Sequence, residues 1–489
     1  MKGSLAAFNR ISDWSQVKVV VAGIGASGYA AAAALLEFGA QVLVVDDSDS
    51  SQNQEKATIL EILDAQIRLG AGSSALDFPD ADLVIASPGW HPDNELLQGA
   101  FCREIPIWSE VELAWRLMQP DRVVPMLAVT GTNGKTTTVN MLEAMLQAAG
   151  LQVAAVGNIG RPITEAVLDE TSYDVLAVEL SSFQLHWINS VSFHSAAVLN
   201  VHPDHLEWYA DPAAWAGRTT SALDAYAYDK GQIYQRVQAS AVYNVADPQT
   251  QALVEAADVT EGARAIGFTL GIPAVAMVGV LDDLLVDRAF ITQRRDSAVE
   301  LAKLEAVTPN APHNVANALA AAALARSFGV PPQAVAQGLK NVNIGDHRIQ
   351  QIAEVNGVRY VDDSKATNPH AAAASLASFD NIFWIAGGQT KGTNFDDLVT
   401  RFADRLRGVA LLGEDRQVIA DSLARHAPDV PVFSSDSDKN GAMREIVGWV
   451  AARAESGDVV LLAPGAASKD MYADYAERGE SFTTQVRKL

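Results

Sequence analysis

Short apolar runs that end at a glycine, a serine or an acid alternate along this chain with longer stretches whose apolar residues recur every three or four positions. The runs at 17–22, 41–45, 81–86, 175–180, 196–201, 357–361, 382–386, 409–412 and 459–462 have strand length and no helical period. Between them, an alanine-rich stretch through Phe38, the set Val139, Met141, Leu142, Met145 and Leu146, and the Ala/Leu/Asn stretch 313–328 read as helices. Strands alternating with helices predict mainly parallel, doubly wound sheets with helices on both faces. The polar break at Pro120-Asp121 and a second change near Ile344 divide the chain into segments 1–120, 121–344 and 345–489.

Each segment places small or polar residues directly after its strands. Segment 123–137, V-V-P-M-L-A-V-T-G-T-N-G-K-T-T, is an apolar run, a glycine turn, a lysine and hydroxyls, followed by a helical pattern. Backbone N–H groups at such a helix start favour phosphate oxygens. Unless G-K-T here is a simple turn, Gly131, Thr132, Asn133 and Gly134 form the cradle, Lys135 can reach the β/γ-phosphates, and Thr136 or Thr137 suits Mg²⁺. The first glycine of the longer, general phosphate loop would fall at position 129, which is Val129.

In the first segment, Gly23-Ile24-Gly25-Ala26-Ser27-Gly28 joins a strand to a helix, and Asp46-Asp47 ends the next strand, the layout of a dinucleotide fingerprint. Ser87-Pro88-Gly89 turns at the C-terminal edge of the same sheet, where open α/β sheets bind ligands. In the second, Glu179 ends a strand and suits Mg²⁺, which takes few carboxylates and completes its shell with water and phosphate. His205, after Asp204 in a matching strand-end position, is a second ligand candidate. Asn314 and Asn317 share a helix face and suit an adenine edge, a ribose or a cap. In the third, Arg348 and the run from Asp362 through Asp363, Lys365 and Thr367 combine cations, acids and hydroxyls suited to phosphate, and the turns at 387–391 and 463–468 admit a ligand to the backbone.

Composition narrows the class. The 489 residues are 49% apolar and 19% charged, as in folded globular domains, and the net charge is −23, which argues against non-specific nucleic-acid or anionic-membrane binding. The single cysteine, Cys102, excludes an intrachain disulfide, and a buried, inert thiol is expected. The N-terminus lacks the apolar core of a signal peptide, and no window of about 18 uncharged apolar residues occurs. A cytoplasmic protein without stable membrane insertion is expected.

Taken in order, G-T-N-G-K-T-T, E-L-S-S-F-Q-L from Glu179, the D-H pair at 204–205 and D-D-S-K-A-T-N from Asp362 resemble the Mur ligases, the ATP-dependent amide ligases of peptidoglycan synthesis. The resemblance runs from Gly23 to about Phe482, and the strings at Glu179 and Asp362 are most similar to the D-glutamate-adding branch. It implies three α/β domains: a Rossmann-like domain that binds a UDP-substrate, a P-loop ATPase domain, and a Rossmann-like domain that admits an amino acid and closes. It further implies ATP and Mg²⁺, with two ions, as cofactors, UDP-N-acetylmuramoyl-L-alanine and D-glutamate as substrates, and a monomer. On matching positions, Ser27, Gly28, Asp46 and Asp47 border the uridine diphosphate. Ser87 with its turn Pro88 and Gly89, Asn158, Ser181, Ser182 and Gln184 hold the muramoyl-alanine portion. Lys135, Thr136, Asn314, Asn317, Arg348, Asp363 and Lys365 serve ATP. Glu179 and His205 bind Mg²⁺, and Lys230, as a carbamate, holds the second ion. Thr367, Lys391, Ser468 and Tyr475 receive D-glutamate.

Two places depart from the family. The run Asp46-Asp47-Ser48-Asp49 is acidic where the family carries an arginine or similar residue, and the interval from His205 to Lys230 is longer, as though 211–222 held an insertion. Three other readings stay open on sequence alone: an amide ligase for another amino acid, an NAD-dependent oxidoreductase using the first fingerprint, and a non-catalytic ATP-gated binding protein.

Overall fold

Three β-sheets form where the apolar runs lie. The computed structural model describes residues 5–210, 221–342, 345 and 347–489. The first sheet contains β1 (Lys18–Ala22), β2 (Gln41–Asp46), β3 (Gln66–Leu69), β4 (Leu83–Ala86) and β5 (Ile107–Trp108), in the order β3-β2-β1-β4-β5 and parallel throughout. Helices α1 (Ala26–Glu37), α2 (Ser51–Ile62), α3 (Glu95–Cys102) and α4 (Glu110–Leu117) connect and cover it. The order reverses between β1 and β4, so the turns after them border a crevice.

The second sheet contains β6 (Met126–Thr130), β7 (Val153–Gly157), β8 (Val175–Glu179), β9 (Ser195–Val198), β10 (Ser240–Asn244), β11 (Arg264–Phe268), β12 (Met277–Leu281), β13 (Leu284–Asp287) and β14 (Val299–Lys303). Its order is β14-β13-β12-β11-β10-β9-β6-β8-β7, and only the β12–β13 and β13–β14 pairs are antiparallel. Every residue of β6 and of β8 is buried, which is why these strands read as unbroken apolar runs. Its helices are α5 (Lys135–Ala148), α6 (Ile163–Leu168), α7 (Ser182–His186), α8 (Ala222–Gly231), α9 (Pro248–Glu255), α10 (Pro312–Ser327) and α11 (Pro332–Asn341).

Helix α4 joins the first two sheets. Its Leu113 and Leu117 enter the core under the first sheet, while its Val111 and Ala114, with Met118 just after it, enter that of the second. Two buried acids on it tie the layers further. Glu110 accepts from Thr164 N at 2.6 Å and Thr164 Oγ1 at 2.7 Å, which caps α6, whose own N-cap residue, Pro162, has no capping side chain. Glu112 accepts from the N–H groups of Asn189 and Ser190 and pairs with Arg116 at 2.7 Å.

The third sheet contains β15 (Gln350–Val355), β16 (Val358–Asp362), β17 (Ile382–Gly387), β18 (Leu406–Leu412), β19 (Val432–Ser434) and β20 (Val459–Leu462), ordered β15-β16-β20-β17-β18-β19 and parallel except for β15. Its helices are α12 (Pro369–Leu376), α13 (Asp396–Phe402), α14 (Arg416–His426), α15 (Lys439–Ala451) and α16 (Tyr475–Val486). By contacts, 1–307 with 315–342 forms one unit and 308–314 with 343–489 another. The expected change of segment at Ile344 and most of the expected insertion, 211–220, lie outside the described residues.

One expectation is corrected. Cys102 is exposed. Helix α3 buries Leu96, Leu97 and Ala100, and position 102 falls off that face.

Candidate active site

Strands β9, β6, β8 and β7 are neighbours and run the same way, so the chain leaves all four at one edge of the second sheet. That edge gathers the phosphate loop after β6, Glu179 at the end of β8, Asn158 after β7, and the segment 199–205 after β9. Gly134 caps α5 with φ +86°, and a Cβ there would strike the side-chain oxygen of Asn317, so Asn317 closes directly on the loop. The segment after β9 is laced to the same loop. Asn133 N donates to Asn200 Oδ1 at 2.9 Å, Asn200 Nδ2 returns to Asn133 O at 3.1 Å, and Thr132 N donates to Asn200 O.

Two lysines converge on this loop. Lys135 Nζ donates to Gly131 O at 2.8 Å and to Thr132 O at 2.9 Å. Lys230, 1% exposed, donates to the same Gly131 carbonyl at 2.9 Å and lies 4.4 Å from the centre of the Tyr226 ring. Burial, and then the charge of Lys135, hold the Lys230 ammonium well below the usual lysine range. Tyr226 OH in turn lies 3.1 Å from Thr132 Oγ1. Thr136 is half-buried and Thr137 buried at the start of α5.

Glu179 is 2% exposed. Its Oε1 accepts from Asn158 Nδ2 at 2.8 Å, whereas its Oε2 is buried with no hydrogen-bond partner among the described residues. An orphaned carboxylate oxygen beside a phosphate loop fits a hard, oxygen-seeking cation. Among the described residues no group of three or more His, Cys, Asp or Glu could hold a metal unaided, so such an ion would draw further ligands from phosphate and water. His205, at φ +52°, is partly exposed, with Asp204 and Glu207 oxygens each 3.8 Å away.

At the first sheet, Ser27 and Gly28 lie in the first turn of α1, and the helix has no side-chain cap. Asp46 accepts from Ile24 N at 2.9 Å and so shapes the glycine turn, while Asp47 gives both carboxylate oxygens to Ser74. Gly28 is required by packing, since a Cβ would collide with the Gly23 carbonyl and the Ser87 hydroxyl. Ser87 Oγ donates to Gly23 O at 3.3 Å, and the turn through Pro88 and Gly89 closes with Trp90 N on Ser87 O. Lys56 Nζ donates to Ile24 O at 3.2 Å and brings a cation to this acidic loop. Near the second sheet's edge, Ser181 and Gln184 form the capping box of α7, and Ser182 is buried behind it.

In the other unit, β16, β20 and β17 are adjacent and parallel, which sets the turns carrying Thr367, Ser468 and Lys391 side by side. Gln389 and Ala467 exchange backbone hydrogen bonds at 2.8 and 2.9 Å, stitching two of these turns together. Lys365 Nζ lies 3.9 Å from the centre of the Tyr475 ring. Asp363 is buried, bonded to Ser375 and accepting from Ile349 N; desolvation pushes its carboxyl up to about 7, with Arg348 opposing. Asn314 Nδ2 donates to Pro309 O at 3.2 Å.

Comparison with known proteins shows the family. The Mur ligase middle domain model matches residues 129–325, the Mur ligase glutamate ligase domain 347–466, and the MurD-like N-terminal domain 17–109. The UDP-N-acetylmuramoylalanine–D-glutamate ligase of Streptomyces avermitilis is 52% identical over 98% of this chain and 100% of its own length. That of Thermobifida fusca is 49% identical over 96% and 98%. The chain belongs to the Mur ligase family.

The fold is shared at much lower identity by other Mur ligases. MurF from Acinetobacter baumannii matches with a TM-score of 0.56 at 17% identity, covering 98% of this chain and 93% of its own. MurC from Thermotoga maritima matches at 0.54 and 18% identity, covering 97% and 100%. Within this Mur ligase, sequence reasoning missed Asn200, Tyr226 and Lys56. Asn200 follows a strand at the same place as His205, which was a usable signal. Tyr226 and Lys56 lie mid-helix, and only folding brings them to their loops.

Proposed function

We propose that this Mur ligase joins D-glutamate to UDP-N-acetylmuramoyl-L-alanine at the expense of ATP, in peptidoglycan precursor synthesis. The observation that carries the reading is the 52% identity over 98% of the chain to a relative named for that reaction. The working parts are 1–120 for the UDP-substrate, 121–344 for ATP and Mg²⁺, and 345–489 for D-glutamate. The enzyme acts as a monomer in the cytoplasm; no described helix is long and apolar enough to cross a membrane.

In this mechanism the substrate carboxylate attacks the γ-phosphate, ADP leaves, and an acyl phosphate forms. The amine of D-glutamate then attacks the activated carbonyl, phosphate departs, and the amine proton is lost. Bringing two anions together is the electrostatic obstacle in the first step. The loop N–H groups and Lys135 offset the growing charge on the phosphate. Mg²⁺ would supply further charge neutralisation; Thr136, Glu179 and His205 would hold one ion and a carbamate on Lys230 a second. Carbamate formation consumes a neutral amine and CO₂, and the enclosed Lys230 favours the neutral form. Asn314, Asn317, Arg348, Asp363 and Lys365 serve the nucleotide, with Asp363 acting through the fold of its loop.

Lys391 answers one carboxylate of D-glutamate with a point charge, while Thr367 and Ser468 fix direction and Tyr475 walls the site. The test is product formation from ATP and UDP-N-acetylmuramoyl-L-alanine with a panel of D- and L-amino acids, followed by phosphate release and product mass. A product containing only D-glutamate is expected. Efficient use of another amino acid would overturn the assignment.

A further inference from the structure

Arg478 is 1% exposed, in the first turn of α16 and three residues beyond Tyr475. A charge so enclosed is costly unless every donor is met. Its bonds run to main-chain carbonyls and one hydroxyl rather than to a carboxylate. Nε donates to Ser364 Oγ at 3.0 Å and Nη2 to Ser364 O at 2.9 Å. Nη1 reaches Ala466 O at 3.1 Å and Gly387 O at 3.4 Å. Ser364 Oγ passes the link on, donating to Tyr475 O at 2.7 Å. Burial draws the guanidinium down to about 10, so it stays cationic at neutral pH.

The three acceptor residues stand at the ends of three different strands. Ser364 follows β16 and precedes Thr367, Gly387 ends β17 before Lys391, and Ala466 follows β20 before Ser468. One planar group therefore holds the roots of all three turns and, through Ser364, the first residue of α16. A lysine cannot do this, because its donors radiate from a single point on a flexible stem. We propose that Arg478 is the positioning residue of the D-glutamate site, setting the mutual spacing of Thr367, Lys391, Ser468 and Tyr475. The proposal rests on the assignment of those four residues to D-glutamate. Lys365 has a hold outside that network, its own backbone bond to His347 O, so nucleotide contacts should be less affected.

The test is steady-state kinetics of the whole enzyme with each substrate varied in turn. Arg478→Lys, which keeps the charge and loses the fork, should raise KM for D-glutamate about tenfold, with KM for ATP and for the UDP-substrate within about threefold. Ser364→Ala keeps the arginine but removes the hydroxyl that accepts from its Nε and relays to Tyr475 O; it should raise the same KM about threefold. If Arg478→Lys does not fold, Ser364→Ala decides. Equal rises in all three KM values, or an unchanged KM for D-glutamate in the folded variants, overturns the positioning role. Lys391→Ala is the control. If it leaves KM for D-glutamate unchanged, the assignment of the site fails; if it raises that KM while Ser364→Ala and Arg478→Lys do not, the positioning role alone fails.

Discussion

Lys230 donates its enclosed ammonium to the carbonyl of Gly131 at 2.9 Å, across 99 positions of sequence, and Lys135 donates to the same oxygen at 2.8 Å. Two amines share one acceptor at the mouth of a phosphate loop, and burial together with the charge of Lys135 disfavours a second cation there. The arrangement suits a lysine that changes its charge when the site is loaded.

Lys230→Ala is therefore expected to lose most turnover and to regain part of it when formate or acetate is added, since a short carboxylate can replace the carbamate oxygens. Phosphate release with and without the added acid reads this directly. Full activity without any addition would refute the role.

Lys135→Ala should abolish phosphate release while leaving binding of the UDP-substrate nearly unchanged. The lysine serves the loop after β6, whereas the UDP-substrate is assigned chiefly to the turns after β1, β2 and β4. Loss of charge stabilisation of this kind is worth about 3–4 kcal/mol in the barrier. Calorimetric titration beside a turnover assay separates the two effects, and near-normal turnover would remove Lys135 from the mechanism.

Selectivity for D-glutamate over its L-enantiomer is expected, with Lys391→Ala raising KM for D-glutamate more than KM for ATP. Lys391 is exposed, so its loss should not disturb the fold. Equal use of both enantiomers by the parent enzyme contradicts the assignment.

Glu110 gives a prediction in stability and pH. Desolvation pushes its carboxyl up to about 7, against the pull of Thr164, and its Oε2 has no partner among the described residues. A carboxyl raised on folding holds its proton in the native state over a range where the unfolded chain has lost it. Its contribution is therefore most favourable below the unfolded pKa and is lost as pH rises towards 7. Glu110→Gln keeps an acceptor for Thr164 without the charge. The variant should gain stability relative to the parent as pH rises from 5 to 8, by about 2–3 kcal/mol at most. Denaturant unfolding at the two pH values measures this, and a parent–variant difference independent of pH would exclude it.

Much of the core and of the loop chemistry was local and could be read from the sequence. Strands β6 and β8 are buried on both faces and so appear as unbroken apolar runs, and Gly134 was legible as a turn residue because the backbone entering α5 is left-handed there, which favours glycine. Strands β3 and β19 were not legible, being short and only partly apolar, nor was β5, which is two residues long; β7 and β10–β15 also escaped. Cys102 was misjudged because burial depends on which face of α3 meets the sheet.

The sequence by itself determined the strands that carry the motifs, the phosphate-loop turn and the kinds of side chain available at those strand ends, since these depend on local backbone geometry and short-range pattern. Tertiary structure alone decided which of those side chains meet. Strand order brings Glu179 and Asn158 beside the loop of Lys135, closes Asn317 on Gly134, and buries Lys230 against Gly131. The same is true of Arg478, an unremarkable basic residue in the chain and a shared anchor once β16, β17 and β20 lie together. The physical reason is that desolvation and hydrogen-bond satisfaction depend on neighbours brought from far along the chain, and no local pattern encodes them.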